Sequence, residues 1–471
     1  MPHEPTGLEL VWPGKYDDQG ERFRAPESAL SWHELERRGS VEQPPNLLCH
    51  ADNLAGMQAL LPSHRGRFAL IYIDPPFATG HDFVSALPLG SARVKHDAPR
   101  LALRPAYQDP GKGELCAYIE ALAQRLMLIR ELLSDTGTLY VHCDTRLSSY
   151  LRLLLDEIFG AEQLRNTIAW CYRGGGTPRR DFAAKHDTIF RYSKSKHYTF
   201  NLDAVRQPYA ESVQQSQPSR YRKSYRRSGV YDGYEPNPLG KHPEDWWPIQ
   251  PLMPSDKRER VGYPTQKPLA LLRRIVLASS APGDWVGDFF AGSGTTLVAA
   301  ALEGRRWVGM DCGALALHCT RKRLVSLENP PSFERWSSAP LERISLPPSR
   351  LAAGAQLEQR IDGLPFSLRF ERDAQGRVAV QLLPAERANA LKGSTQAELF
   401  GTKVDLDLDA WAADWDDEGP FCADWESHRD NTAGVLATRS GPSPHTLGAA
   451  LRLRLFDVHA RELELYQPLL P

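Results

Sequence analysis

The sequence predicts an α/β fold built on a doubly wound, mostly parallel sheet, with an inserted segment and a β-rich C-terminal unit. Three observations lead there. From about residue 46, short apolar runs alternate with stretches of helical period. Between residues 195 and 260 that alternation stops, and Tyr, Arg, Lys, Pro and Ser take over. Past residue 350, apolar–polar alternation around turns replaces helical period.

Taken in order, residues 1–45 are polar and weakly periodic and read as an N-terminal extension with one short helix at ESALSWHELERRG (27–39). The core begins with NLLCHADNLAGMQALLPS and runs to residue 171. FALIYID is a continuous apolar run of strand length, LCAYIEALAQRLMLIRELLS an amphipathic helix, GTLYVHCD a strand and RLSSYLRLLLDEIFG a helix. NTIAWCY and DTIFRYSKS read as two more strands. Residues 172–260 form the insertion. From 261 to 330 the pattern returns as KPLALLRRIVLASSA (helix), DWVGDFF (strand), GSGTTLVAAALEG (turn and helix), RWVGMD (strand) and GALALHCTRKRLVSL (helix). Prolines and serines mark 331–350 as a linker, and 351–471 as a β-rich accessory domain carries a hairpin pattern at SLRFERDAQGRVAVQLL and another at LRLRLFDVHARELEL.

Composition narrows the partners. A length of 471 residues exceeds one small core, and 41% hydrophobic with 24% charged residues is ordinary for globular proteins. A net charge of −1 announces neither nucleic acid nor membrane globally, so any electrostatic partner must be read from local asymmetry. Seven cysteines without a C-x-x-C pair argue against a disulfide framework or zinc ribbon, and point to a reducing cytoplasm. No run of eighteen apolar residues and no signal-peptide layout is seen, so no membrane is expected. Neither His142-Cys143-Asp144 nor His318-Cys319 reads as a metal site: strand neighbours point to opposite faces, and the second pair fits a helix core. No metal is expected.

Two loops carry chemistry. In DFFAGSGTT, Asp288 ends a strand and Gly292 and Gly294 open a helix near Thr295. Glycines there let backbone N–H groups approach a ligand closely, and Asp311 ends the next strand, where a ribose hydroxyl pair is gripped in nucleotide-binding α/β folds. A plain strand-to-helix turn is the alternative for the glycines alone. No lysine follows them, so a nucleoside cofactor poor in phosphate is favoured over ATP. The other loop is Asp74-Pro75-Pro76-Phe77. A capped strand end explains the prolines but not the ring. A nucleobase amine is a poor nucleophile, because its lone pair is delocalised. The Asp74 carboxylate and the Pro75 carbonyl, accepting its two N–H bonds, would aim that lone pair at an electrophile. The prolines stiffen the loop, and Phe77 offers a face on which an extruded base stacks.

DPPF with FAGSGTT, in that order and joined by a long variable segment, resembles the permuted, β-type amino-methyltransferases of DNA. GYPTQKPLALLRRIV and GTLYVHCDTRLSSYLRLLLDEIFG are similar to further segments of that family's stand-alone and type III-like adenine-N6 members, so the likeness spans about residues 46–330. It implies a Rossmann-like methyltransferase fold and S-adenosylmethionine as cofactor. It also implies transfer of methyl to adenine N6 in a flipped base. Carried over by position, Asp74, Pro75, Pro76 and Phe77 are the catalytic loop. Asp288, Phe290, Gly292, Gly294 and Thr295 form the cofactor loop, and Asp311 is the ribose acid. Thr265, Gln266 and Lys267 meet the methionine end, and Asp52 and Asn53 the adenine end. Phe289 stands where the family usually carries proline.

The insertion lies where this family keeps its target-recognition segment, and it interleaves Lys and Arg with tyrosines, which suits phosphates and unstacked bases. Arg179, Arg180, Arg220, Arg222, Lys223, Arg226 and Arg227 are the expected DNA contacts. Double-stranded DNA is the expected partner, with a homodimer and a separate restriction enzyme left open. Cytosine-N4 methylation and a catalytically silent DNA-binding partner of a modification complex stand as alternatives.

Overall fold

The computed structural model describes residues 10–17, 19–22, 24, 29–40, 44–78, 80, 82–89, 100–108, 115–174, 178–209, 223–226, 229–232, 237–256, 258–341, 343–346, 349–350, 356–360, 366–372, 378–384, 408–414, 425–428, 450–457 and 462–470. Ten strands make the main sheet: β1 (His33–Arg38), β2 (Leu47–His50), β3 (Phe68–Ile73), β4 (Leu133–Cys143), β5 (Leu164–Cys171), β6 (His186–Ser193), β7 (Trp246–Trp247), β8 (Trp285–Asp288), β9 (Arg306–Asp311) and β10 (Phe333–Ser337). Their spatial order is β1-β10-β2-β9-β8-β3-β4-β6-β5-β7. From β10 to β4 all neighbours are parallel, whereas β6 runs antiparallel to both β4 and β5, and β1 antiparallel to β10.

β3 is buried at all six residues, as a central parallel strand covered on both faces must be. Alternate residues point to opposite faces. Ile71, Ile73, Leu139 and Val141 join the core beneath α1 (Asn53–His64), α2 (Leu115–Leu132) and α3 (Ser148–Phe159). Leu70, Tyr72 and Tyr140 join the core beneath α4 (Leu269–Ser279), α5 (Thr295–Leu302) and α6 (Ala314–Val325). The doubly wound expectation is met.

Three boundaries differ from the sequence reading. The stretch expected as a helix at 27–39 contains strand β1 instead, because it zips onto β10 and buries Leu35 and Glu36 there. The expected linker at 331–350 begins with β10, a strand parallel to β2. The insertion at 172–260 gives two strands, β6 and β7, to the main sheet. An unforeseen hairpin, Asp82–Leu89 against Arg100–Gln108, follows the DPPF loop.

The C-terminal unit is β-rich, as read. Strands Phe366–Arg372 and Val378–Pro384 pair antiparallel, and so do Ala450–Asp457 and Glu462–Leu470. It meets the main sheet through buried ion pairs. Arg321 of α6 donates to Glu36 at 2.7 Å and to Glu426 at 2.9 Å, Arg335 of β10 donates to Glu36 at 3.1 Å and to Glu462, and Arg454 of the C-terminal unit donates to the Leu35 carbonyl of β1. Among the described residues, no helix is long and apolar enough to cross a membrane.

Candidate active site

The direction in which the chain winds across the sheet reverses between the parallel neighbours β8 and β3. From β8 the chain winds through α5 to β9 on one side, and from β3 through α2 to β4 on the other. Ligands of doubly wound sheets bind beyond the carboxyl ends of the strands at such a switch point. Asp288 ends β8 and Asp74 follows β3, and the two strands are hydrogen-bonded neighbours, with Gly287 opposite Ile71. The two motif loops, more than two hundred residues apart in sequence, therefore share one mouth.

A cavity of about 620 Å³ opens there, within the size range of small-molecule sites. Asp74, Pro75, Pro76 and Phe77 line it, with Asp52, Asn53, Thr265, Gln266, Lys267, Asp288, Phe290, Gly292, Thr295 and Asp311. Gly294 does not line it. It caps α5 at φ +72°, and a Cβ there would come within 2.5 Å of Thr320, whose hydroxyl donates to the Gly292 carbonyl at 3.0 Å. Its role is to let the loop pack.

Hydrogen bonds divide these residues. Asp52 caps α1, accepting from Leu54 and Ala55 amides at 2.9 and 3.2 Å, while Asn53 donates to the Phe289 carbonyl at 2.8 Å. Arg125 of α2, which sequence reasoning missed, also lines the cavity and donates to Asp52 at 3.0 Å and to Asn53. Gln266 spends its amide on its own loop, accepting from the Val261 amide and donating to the Glu259 carbonyl, each at 2.9 Å. Thr295 donates to the Lys267 carbonyl at 3.1 Å and so ties the TQK segment to the glycine loop. Phe289 is fully buried, its ring edge-on to Phe68 at 5.7 Å. That packing holds the loop where the family's proline would stiffen it.

Charge is crowded. Asp311 accepts from the Gly292 and Gly313 amides, each at 2.8 Å; burial pushes its carboxyl up, against the pull of those amides. Burial also pushes Asp288 up to about 7, despite hydrogen bonds from the Thr296 hydroxyl (2.5 Å) and the Phe290 amide (3.1 Å), with the charges of Asp74 and Asp311 adding to the rise. Asp74 Oδ2 is paired with Lys267. Asp74 Oδ1 is buried and, among the described residues, has no hydrogen-bond partner; His142 Nδ1 lies 3.9 Å away. His142 bridges Tyr72 (2.9 Å) and Asp187 (3.3 Å) and packs 5.9 Å from Phe77, so it underlies the DPPF loop, while Cys143 turns into the opposite core. His318 packs on Phe456 at 5.2 Å.

Of the expected DNA contacts, Arg179 and Arg180 are exposed on the β5–β6 connection and do not line the cavity. Arg220, Arg222 and Arg227 lie outside the described residues. For Lys223 and Arg226 only the backbone is described, in a two-stranded ribbon with Gly229–Asp232.

The model of the DNA methylase family, which spans the N6 and N4 enzymes, matches residues 68–318. The chain belongs to this family. It is an S-adenosylmethionine-dependent DNA methyltransferase. The type II methyltransferase M.EcaI of Enterobacter cloacae is 32% identical over 60% of this chain and 70% of its own. The DNA adenine methyltransferase YhdJ of Escherichia coli (strain K12) is 28% identical over 59% of this chain and 82% of its own. The M1.HpyAVI–SAM complex is a similar solved structure at 19% identity, covering 60% of this chain and 99% of that one with a TM-score of 0.37. The cavity suits the cofactor. Asp52, Asp74, Asp288 and Asp311 outnumber Arg125 and Lys267 in its lining, which favours a ligand bearing sulfonium and ammonium charges, and Lys267 offers a partner for its carboxylate.

Proposed function

We propose that this methyltransferase modifies adenine N6 in double-stranded DNA, with Asp74, Pro75, Pro76 and Phe77 as its target-amine loop. The observation that carries this reading is the bare Asp74 Oδ1. A buried carboxylate oxygen without a partner costs about 1–3 kcal/mol or more, a penalty that a ligand N–H donor removes. In this reading Asp74 accepts one N–H of the target amine and the Pro75 carbonyl the other, and both draw the nitrogen's lone pair out of the ring. Phe77 stacks on the flipped base. S-adenosylmethionine supplies an electrophilic methyl carbon on a sulfonium, which needs no covalent enzyme intermediate. Asp74 is placed to hold the proton that the amine gives up.

Asp311 would hold the ribose, Lys267 and Thr265 the methionine end, and Asn53 with Asp52 the adenine end, both braced by Arg125. Gly292, Phe290, Thr295 and Asp288 shape the loop between, with Gln266 and Gly294 as its supports. The aspartate that opens the DPPF loop favours adenine over cytosine, where serine is the more frequent first residue, and the relative YhdJ carries adenine in its name. Exposed Arg179 and Arg180 and the basic insertion suit duplex phosphates.

The test is modification-sensitive sequencing of DNA from a host that expresses the chain, beside a host expressing Asp74→Asn. N6-methyladenine at a defined context in the first and not the second supports the reading. N4-methylcytosine would transfer the loop to the other base, and no modified base under saturating expression would overturn the assignment.

A further inference from the structure

The Lys267 ammonium stands beside the place where the target amine is proposed to go, on the other oxygen of the same carboxylate. It pairs with Asp74 Oδ2, it lies 5.7 Å over the Phe77 ring, and it is otherwise 3.4 Å from the Thr265 carbonyl. Carboxylate and ring are the two surfaces that define the base seat, so an ammonium held between them crowds a base entering to reach the bare Asp74 Oδ1. The Lys267 backbone is fixed, because its carbonyl accepts from Thr295 and the preceding Thr265 is held at φ +58°, a conformation that non-glycine residues adopt only where their surroundings impose it. The flexible stem is thus the part free to swing. Lys267 also lines the same cavity as Asp311 and Gly292, within which a ligand carboxylate would compete for it.

We propose that Lys267 holds the Asp74 seat closed until the carboxylate of the methyl donor draws the ammonium away, so that cofactor binding opens the site to the base. This rests on the assignment of Asp74 as target-amine acceptor. A single ammonium cannot satisfy both anions at full strength, so each weakens the other's hold on it. Linkage then makes cofactor and target base bind cooperatively, each by the same factor. Side-chain exposures of 11% for Lys267 and 18% for Asp74 keep the pair partly shielded from solvent. Its competition is therefore felt in a measured affinity, on the order of fivefold.

Calorimetric titration of the full-length protein with S-adenosylmethionine, and with its decarboxylated form, tests this without DNA. Asp74→Asn removes the competitor for Lys267. It should tighten S-adenosylmethionine about fivefold while failing to tighten the decarboxylated form, which keeps both cationic centres and lacks the carboxylate. In a Lys267→Met background the Asp74→Asn gain should vanish. Unchanged affinity for S-adenosylmethionine in Asp74→Asn would overturn the gate, and so would an equal gain for the decarboxylated form or a gain that survives in Lys267→Met. Thermal melts of each variant identify one that has lost its fold, in which case Asp74→Ser replaces Asp74→Asn. Because no transfer is measured, failure here leaves the adenine reading standing, and failure of the sequencing test leaves these affinities interpretable.

Discussion

Two regions of this molecule bury carboxylates, and they do so in opposite ways. In the seam between the main sheet and the C-terminal unit, and in the C-terminal sheet behind it, buried acids among the described residues meet guanidiniums: Glu36 faces Arg321 and Arg335, Glu462 faces Arg335 and Arg454, Glu464 faces Arg454 and Arg343, and Asp414 faces Arg452. At the cavity, Asp74, Asp288 and Asp311 share one lining with a single lysine, which pairs with Asp74 and leaves that residue's other oxygen without a hydrogen bond among the described residues. Matched charges fix a position, whereas unmatched ones wait for a ligand. The seam is a joint and the cavity is a site.

The largest expected effect breaks the site and spares the joint. Asp74→Ala should lower methyl incorporation into DNA by about 10²–10³-fold or more, the scale on which one oriented electrostatic partner of a transition state counts. Radiolabelled-methyl transfer measures it, while urea unfolding should place the variant within about 0.5 kcal/mol of the parent or above it, since a bare buried oxygen is removed.

Glu36→Gln does the reverse. Removing one partner of a buried ion network costs about 3–5 kcal/mol, so the urea midpoint should fall sharply while turnover per folded molecule persists. Burial works to raise the Glu36 carboxyl, but Arg321, Arg335 and Arg454 outweigh it and hold it at about 2. Its stabilisation is thus present above the ordinary 4.5 and is lost as pH falls toward 2. An unfolding profile that keeps its full stability at pH 3 would break the comparison.

This contrast also explains what the sequence discloses. The site was legible because its chemistry is local: DPPF and GSGTT each sit at the end of an apolar strand, and a doubly wound sheet gathers strand ends at one rim. The seam was not. HELERR and FERWS hide Glu36, Glu334 and Arg335 in the interior, which inverts the polar-out rule, so the first resembled an exposed helix and the second a linker. The partner that makes Glu36 tolerable inside, Arg321, is 285 residues away along the chain. Arg125 escaped for the same reason, since nothing in its helix signals that it braces Asp52 and Asn53.

Asp288 tests whether the cavity's charges are poised. A carboxyl held up to about 7 binds its proton more tightly folded than unfolded. Its effect on stability is therefore fully felt below 3.8 and declines as pH rises from there through 7, by at most about 4 kcal/mol. Asp288→Asn should flatten that decline between pH 4 and 7 in pH-resolved urea unfolding. Cofactor cations should favour the ionised form, so titrations near pH 6 in buffers of different ionisation heat should show proton release in the parent and less in Asp288→Asn.

The smallest effect concerns two rings rather than two sets of acids. Phe456 is buried in the seam, with the guanidiniums of Arg321 and Arg335 at 5.1 and 5.8 Å and the His318 ring tilted against it at 5.2 Å. Phe77 is only partly buried, with Lys267 over its face at 5.7 Å and His142 at 5.9 Å, and borders the open cavity. If that open edge is where a base stacks, Phe77→Leu forfeits about 1–3 kcal/mol of base–aromatic contact. It should raise KM for DNA by about 5- to 150-fold and leave S-adenosylmethionine affinity within about twofold. Phe456→Leu should shift the unfolding midpoint and leave KM for DNA unchanged. A Phe77→Leu enzyme with the parental KM and a lowered midpoint would make both rings structural, and would move the stacking surface elsewhere on the rim.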